Sequence, residues 1–475
     1  MKQIRHRTGA VTEMERTTAK KNKYEIDMCN GTIMDKLISF SLPLMLSGIL
    51  QLMFNAVDII VVGRFSGSQA LAAVGSTSAL INVFTNLFIG ISLGANVLTA
   101  RFYAAGREKE VSETVHTAIT LALVSGIVMA LVGLVFSKGA LALMGTPYDV
   151  IGLSALYMRI YFLGMPFFML YNYGAAILRA VGDTKRPLLF LMIAGVINAC
   201  LNMVLVIVFK LGVAGVAIAT VISQMISCVL VLRCLCRSES SYRLRFSELG
   251  MKGYYLKQIF SVGVPAGIQS TVINFSNVLL QSSVNSFGST AMAGYTAANN
   301  LLGFLYVSVN SITQACMSFT SQNYGVGKLK RMDRVLADCM ILSVVVAVVL
   351  GCICYGFGPE ILQIYTEDAE VIACGMEILA YTTITYFLCG WMDLFPGALR
   401  GMGYSAVPMV LSVIGTVGTR VVWIFGIFPY HRSLAILFIS YPASWIITII
   451  LQVVCFYFVR RRVHRRSQAL AGQEA

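Results

Sequence analysis

Twelve stretches of this chain are apolar for long enough to cross a bilayer, and that limits its folds more than any other feature. A hydrocarbon layer of ~30 Å takes about 20 residues of helix. Runs of at least that length fall at roughly 38–63, 72–100, 113–137, 153–178, 188–209, 213–233, 258–285, 291–324, 335–357, 371–399, 405–428 and 435–459. They are continuous rather than alternating, which excludes barrel strands. Of 475 residues, 57% are apolar and only 12% charged, and the mean hydropathy is +0.76. One soluble core cannot hide that much apolar surface, because cores stop growing near ~250–300 residues. A soluble enzyme, a disordered chain and a secreted disulfide scaffold are thereby excluded. The 12 cysteines are scattered, mostly through apolar runs, and no histidine completes a zinc pattern, so they read as reduced and structural.

The basic residues orient the runs. With an even number of crossings both tails share one side, and 30 of the 36 Lys and Arg fall in the tails and loops of that side. Arg64, Lys138, Arg159, Lys210, Arg420 and Arg432 are left for the other. This asymmetry places both termini in the cytoplasm. The net charge of +14 therefore reflects membrane topology and lipid contact, and no nucleic-acid partner is expected. The run Arg460-Arg461-Arg462 with Arg465-Arg466 suits either anionic lipid or a plain stop-transfer flank.

The sequence repeats at an offset near 221. Thr99, Tyr103 and Gly106 recur as Thr320, Tyr324 and Gly327, and Leu178-Arg179 with Gly182 recurs as Leu399-Arg400 with Gly403. Pro43 and Asn55 recur as Pro265 and Asn277, one residue further on. Six crossings per copy keep both copies in one orientation, giving parallel repeats about an axis along the membrane normal. The expected fold is an all-α membrane protein of twelve helices in two six-helix repeats. Its parts are a tail at 1–36, a first repeat at 37–233, a linker at 234–257, a second repeat at 258–459 and a basic tail at 460–475. Two like bundles with a cleft between them can rock to open either side, as a secondary transporter does.

Motifs for other energy sources are absent. Gly325-Val-Gly327-Lys328 is followed by Leu329, not the Ser or Thr of a phosphate-binding loop. His6, His116, His431 and His464 lie far apart, and no catalytic set shares a depth. The chain thus reads as a non-enzyme with no bound cofactor, driven by an ion gradient.

Charges in mid-membrane cost ~2.5–3.5 kcal/mol on insertion scales, so they need a partner or a function. Asp58 is the sole carboxylate of the first run and sits ~7 Å from its outer end at 1.5 Å per residue. Asn198 and Asn202 are one turn apart on the fifth run, with Asn202 ~12 Å deep, and Thr220 on the sixth is ~10 Å deep. One carboxylate with neutral oxygens suits Na⁺, while a proton needs Asp58 alone. The competing reading makes Asn198 and Asn202 interhelical glue. In the second repeat the polar candidates are Asp393, Asn274 and Asn277. Asp393 either attracts a cationic substrate or pairs locally near Arg400. Glu377 and Arg420 share an outer depth and are expected to form a structural ion pair.

The segment Asn55-Ala-Val-Asp58-Ile-Ile-Val-Val-Gly63 after Pro43 resembles the first-helix motif of the multidrug and toxin extrusion (MATE) family. Leu-Arg-Ala-Val-Gly-Asp at 178–183 and Gly-Ala-Leu-Arg-Gly-Met-Gly at 397–403 resemble its paired motifs. Gly418-Thr-Arg420-Val-Val-Trp423 and Ser440-Tyr-Pro-Ala-Ser-Trp445 resemble a bacterial branch of it. The resemblance spans about 34–459. It implies a V-shaped pair of lobes in a bacterial plasma membrane, monomeric, exporting small organic cations in exchange for Na⁺ or H⁺. It also implies a cation site at Asp58, Asn198, Asn202 and Thr220. Some members carry a second Asp where this chain has Asn202, and some a Glu on helix seven, where this chain reads Thr271-Val-Ile-Asn274. A lipid-linked precursor flippase of the wider superfamily is the alternative, and it would carry more charge in its central cleft.

Overall fold

In a bilayer every backbone N–H and C=O must find its partner within the protein, and a helix does this within one segment. The computed structural model describes residues 24–473, and among these it contains helices and no strand. Residues 1–23 of the expected N-terminal tail lie outside the described residues. The first repeat comprises α1 (Met34–Phe65), α2 (Ser68–Ala104), α3 (Glu108–Leu143), α4 (Tyr148–Leu163), α5 (Met165–Ala180), α6 (Lys185–Asn202) and α7 (Gly212–Cys236). The second comprises α8 (Gly253–Asn285), α9 (Ser289–Gly325), α10 (Leu329–Gly356), α11 (Gly358–Gln363), α12 (Ala369–Thr382), α13 (Tyr386–Gly401), α14 (Ala406–Ser412), α15 (Thr419–Val422) and α16 (Leu434–Gln473).

Eight of these rods are long and apolar enough to cross a membrane, and ten if the bent pairs α4–α5 and α12–α13 each count as one. The remaining long helices, α8 and α9, have 33 and 37 residues but fall short in apolarity. Their polar side chains, such as Asn274 and Asn310, line an internal cavity rather than lipid. The exterior is correspondingly greasy: Val135 is 68% exposed and Phe425 70%, as suits surfaces facing acyl chains.

The repeat is visible in the backbone. The bend after Leu163 is 47° and the one after Thr382 is 50°. A π-helical segment at Met203–Val208 has its counterpart at Trp423–Ile427. Left-handed glycines recur at a spacing of 221, as Gly67 with Gly288, Gly106 with Gly327 and Gly182 with Gly403.

The repeats meet where α2 crosses α8. Gly90 and Gly94 face Gly263 and Gly267, two small-x₃-small pairs that bring the backbones together. Polar bonds complete the floor: Asn96 donates to the Ala176 carbonyl (2.8 Å), Ser318 donates to Asn96 (3.1 Å), and Gln322 donates to the Ala180 carbonyl (2.7 Å).

This floor lies toward the end of the bundle that carries residues 25–31 and the Arg460–Asp333 pair. There the segment 25–31 straps the two repeats. Glu25 accepts hydrogen bonds from Tyr103 (2.7 Å) of the first repeat and from Tyr242 (2.8 Å) of the linker that follows it. Lys328 donates to the Cys29 carbonyl (2.9 Å), and Arg331 to those of Gly31 (2.8 Å) and Asn30 (3.0 Å). Arg331→Ala removes several charge-assisted bonds at a partly exposed site, so it should cost about 1–2 kcal/mol. The check is the thermal midpoint in detergent, and an unchanged midpoint would show that the strap contributes nothing to stability.

At the C-terminal end α16 runs on through the basic stretch to Gln473, because nothing between Arg460 and Ala471 breaks a helix. Arg460 is not free for lipid: it holds Asp333 through two bonds of 2.7 and 2.6 Å.

Candidate functional site: a buried carboxylate and a central cavity

Helix α1 reaches α6 through a fitted contact. The Phe54 ring occupies the space a side chain at Gly195 would need, its nearest atom 1.8 Å from where a Cβ would stand. One turn beyond Phe54 on α1 is Asp58, and one turn beyond Gly195 on α6 is Asn198. The four residues grouped by depth therefore meet. Asn202 donates through Nδ2 to Asp58 Oδ1 and to Asn198 Oδ1 (3.2 Å), and Thr220 Oγ1 donates to Asp58 Oδ2 (3.4 Å). Asp58 is 9% exposed, Asn198 4% and Asn202 0%. Asn202 is the last α-helical residue before the π-helical segment Met203–Val208, a distortion that often accompanies functional sites.

Two features bear on whether this cluster is interhelical glue or a cation site. Among the described residues no Lys, Arg or His forms an ion pair with Asp58. The Oδ1 of Asn202 is buried and without a hydrogen-bond partner, a costly arrangement inside a protein. Turning that amide end for end would aim a third oxygen at the carboxylate. Asp58 Oδ1 and Oδ2, Asn198 Oδ1, Thr220 Oγ1 and Asn202 Oδ1 then form a donor set suited to a small hard cation. Sequence reasoning passed over Tyr157 and Tyr161 of α4, whose rings stack 6.2 Å apart. Their signal was four-residue spacing on one helix face.

The second feature of the interior is a cavity of about 590 Å³ between the repeats. It rises from the α2–α8 floor along α9 from Met317 to Asn299, about 27 Å at 1.5 Å per residue. Asp393, Asn274 and Asn277 all lie on its wall, whereas none of the Asp58 cluster does. Arg179 and Arg400, counted from sequence as tail-side loop charges, are last-turn residues of α5 and α13 and line it as well.

The expected Glu377–Arg420 ion pair is not formed. Arg420 Nη1 instead donates to Ser276 (2.8 Å) and Asn277 (2.7 Å) on α8, and its guanidinium lies 4.7 Å over the Tyr441 ring. Equal depth sets the level of two side chains but not the direction they face. Arg420 turns toward α8 and α16, while Glu377 sits on α12, beyond the bend of that rod.

The fold and interior define a multi-pass helical membrane protein made of two copies of one bundle around a shared cavity, with a buried carboxylate site in one copy. The chain belongs to the MatE family, whose model matches residues 43–204 and again 265–425. It is 32% identical over 434 residues to the probable multidrug resistance protein YoeA of Bacillus subtilis, covering 89% of this chain and 93% of that one. It is 22% identical over 382 residues to the multidrug export protein MepA of Staphylococcus aureus, covering 80% and 84%. A solved structure described as an outward-facing multidrug resistance MATE family transporter of the MOP superfamily matches with a TM-score of 0.85 at 19% identity, over 94% of this chain and 100% of that one. At that identity the likeness speaks to the fold.

Proposed function

We propose that the chain is a secondary active antiporter of a bacterial plasma membrane, exporting amphiphilic organic compounds as Na⁺ or H⁺ enters at Asp58. In this reading all twelve rods cross the membrane, α8 and α9 included, with both termini in the cytoplasm. The observation that carries it is the Asp58 cluster: a buried carboxylate ringed by amides and a hydroxyl, with no fixed cation and one orphaned amide oxygen. Such a group holds an exchangeable cation at low cost in one state and releases it in another. With the tails in the cytoplasm, as this reading has them, the floor at α2–α8 closes the cytoplasmic side and leaves the cavity facing outward.

The cation site and the cavity do not overlap, so coupling must travel through shared elements. Helix α1 is the direct link, because it contributes Ser47, Gly48 and Gln51 to the cavity and Asp58 to the cluster. Gly48 and Asp58 are about 15 Å apart along its axis at 1.5 Å per residue. An ion that repositions Asp58 repositions the cavity wall through one rigid rod. The reading is tested in proteoliposomes loaded with a fluorescent amphiphile, with inward Na⁺ and H⁺ gradients imposed separately. Export should accelerate with one gradient and respond little to the other. Export indifferent to both would refute antiport.

A further inference from the structure

The charge lining the cavity runs opposite to the expectation of a cationic substrate. Its charged residues are Arg179, Arg400 and Arg420 against the single carboxylate of Asp393. Among the described residues none of the three arginines forms an ion pair with a carboxylate. Each of two is fixed along one edge by neutral acceptors. Arg400 Nη2 donates to Gln269 Oε1 (2.6 Å), and Arg420 Nη1 to Ser276 and Asn277. The Nε of both is buried and has no partner. Arg420 is only 3% exposed. A guanidinium has five donors in a rigid fork that matches carboxylate, sulfonate and phosphate oxygens. Beside the Arg420 fork stands an aromatic wall, in which Trp445 packs edge-on against Tyr386 (5.6 Å) and Tyr441 (5.8 Å).

We propose that this cavity binds an amphiphilic organic anion, its negative group held by Arg420 and its apolar body against Tyr386, Tyr441 and Trp445, while Arg400, anchored two turns away along α8, adds to the positive field. The inference rests on reading the chain as a transporter and names what that cavity takes. A buried guanidinium with no paired carboxylate, as at Arg420, is costly in a membrane protein. An anion supplies the missing partner, and a cation adds repulsion. Asp393, two turns before Arg400 on the same face, tempers the field without cancelling it.

The test uses pyrene-1-sulfonate and (pyren-1-ylmethyl)trimethylammonium, fluorescent ions that share one apolar body and carry opposite charge. Each is equilibrated with the full chain in phosphatidylcholine nanodiscs, without any ion gradient, and binding to empty nanodiscs is subtracted. The sulfonate should bind at least tenfold more tightly. Arg420→Gln should weaken it tenfold or more, Arg400→Gln should weaken it less, and Arg420→Lys should recover part of the loss. Equal or tighter binding of the ammonium ion, or no specific sulfonate binding, overturns the proposal. That comparison needs no variant, so a misfolded variant does not blunt it. Exchanging part of the lipid for phosphatidylglycerol then separates two sources of the anion. Competition points to a lipid headgroup and its absence to a dissolved solute, and either supports an anion site. Because binding is read at equilibrium, a negative result leaves coupling at Asp58 standing, and a failure of gradient-driven export leaves the binding result standing.

Discussion

Asp58→Asn should collapse gradient-driven export to the level of empty vesicles. The magnitude follows from the driving force. One charge moving through 100 mV is worth ~2.3 kcal/mol, which can sustain a solute gradient of about 50-fold. Without a titratable or ion-binding carboxylate that coupling vanishes, and the gradient relaxes toward unity. The substitution is nearly isosteric, and the amide of Asn202 can still donate to the new side-chain oxygen where it now meets Asp58 Oδ1. Folding should therefore survive. The measurement is steady-state accumulation in everted vesicles under a fixed inward ion gradient, with protein level and thermal midpoint recorded alongside. A variant that holds a wild-type gradient would place the coupling site elsewhere. Asn202→Ala is the graded companion: it removes the orphaned oxygen and keeps the carboxylate, so it should weaken Na⁺ dependence more than H⁺ dependence.

The Asp58 cluster was legible because membrane burial makes a lone carboxylate conspicuous, and because helical geometry converts residue number directly into depth. Asn198 and Asn202 added the four-residue spacing that sets them on one face. What depth cannot convey is azimuth, and the Glu377–Arg420 pairing fails on that point: Arg420 faces Ser276 and Asn277 on α8. Arg179 and Arg400 were misplaced for a related reason. Counting loop charges treats every arginine beside an apolar run as facing water, whereas a side chain in the last turn of a helix can point back into a cavity. The same cavity explains why α8 and α9 fall short in apolarity, since a helix facing water on one side need not be greasy all round. Between the repeats, the glycine spacings at 90 and 94 and at 263 and 267 were on view in the sequence. Which two helices they join is a fact of tertiary structure.

Those glycines set the second large expected effect. A Cβ at Gly94 would stand 2.1 Å from the Ile259 carbonyl oxygen, and one at Gly90 would stand 2.3 Å from the Gly267 Cα. From the other side, a Cβ at Gly263 would meet the Ile91 Cα at 2.5 Å. All of these neighbours are backbone, so no side-chain rotation relieves the clash, and α2 and α8 must part by roughly 1 Å or more. Overpacking of this kind costs about 1–3 kcal/mol, occasionally more. Gly94→Ala should thus lower the thermal midpoint clearly and, by loosening the floor, let solutes leak through the tail side. Gly75 supplies the internal comparison. It lies on the same helix with nothing within 4 Å of an added Cβ, so Gly75→Ala should hold or raise the midpoint, since alanine is the better helix former by up to ~1 kcal/mol. Opposite shifts for one chemical change on one helix would isolate the crossing as the cause. If both variants moved the midpoint alike, the close approach of α2 and α8 would not be what seals the cavity.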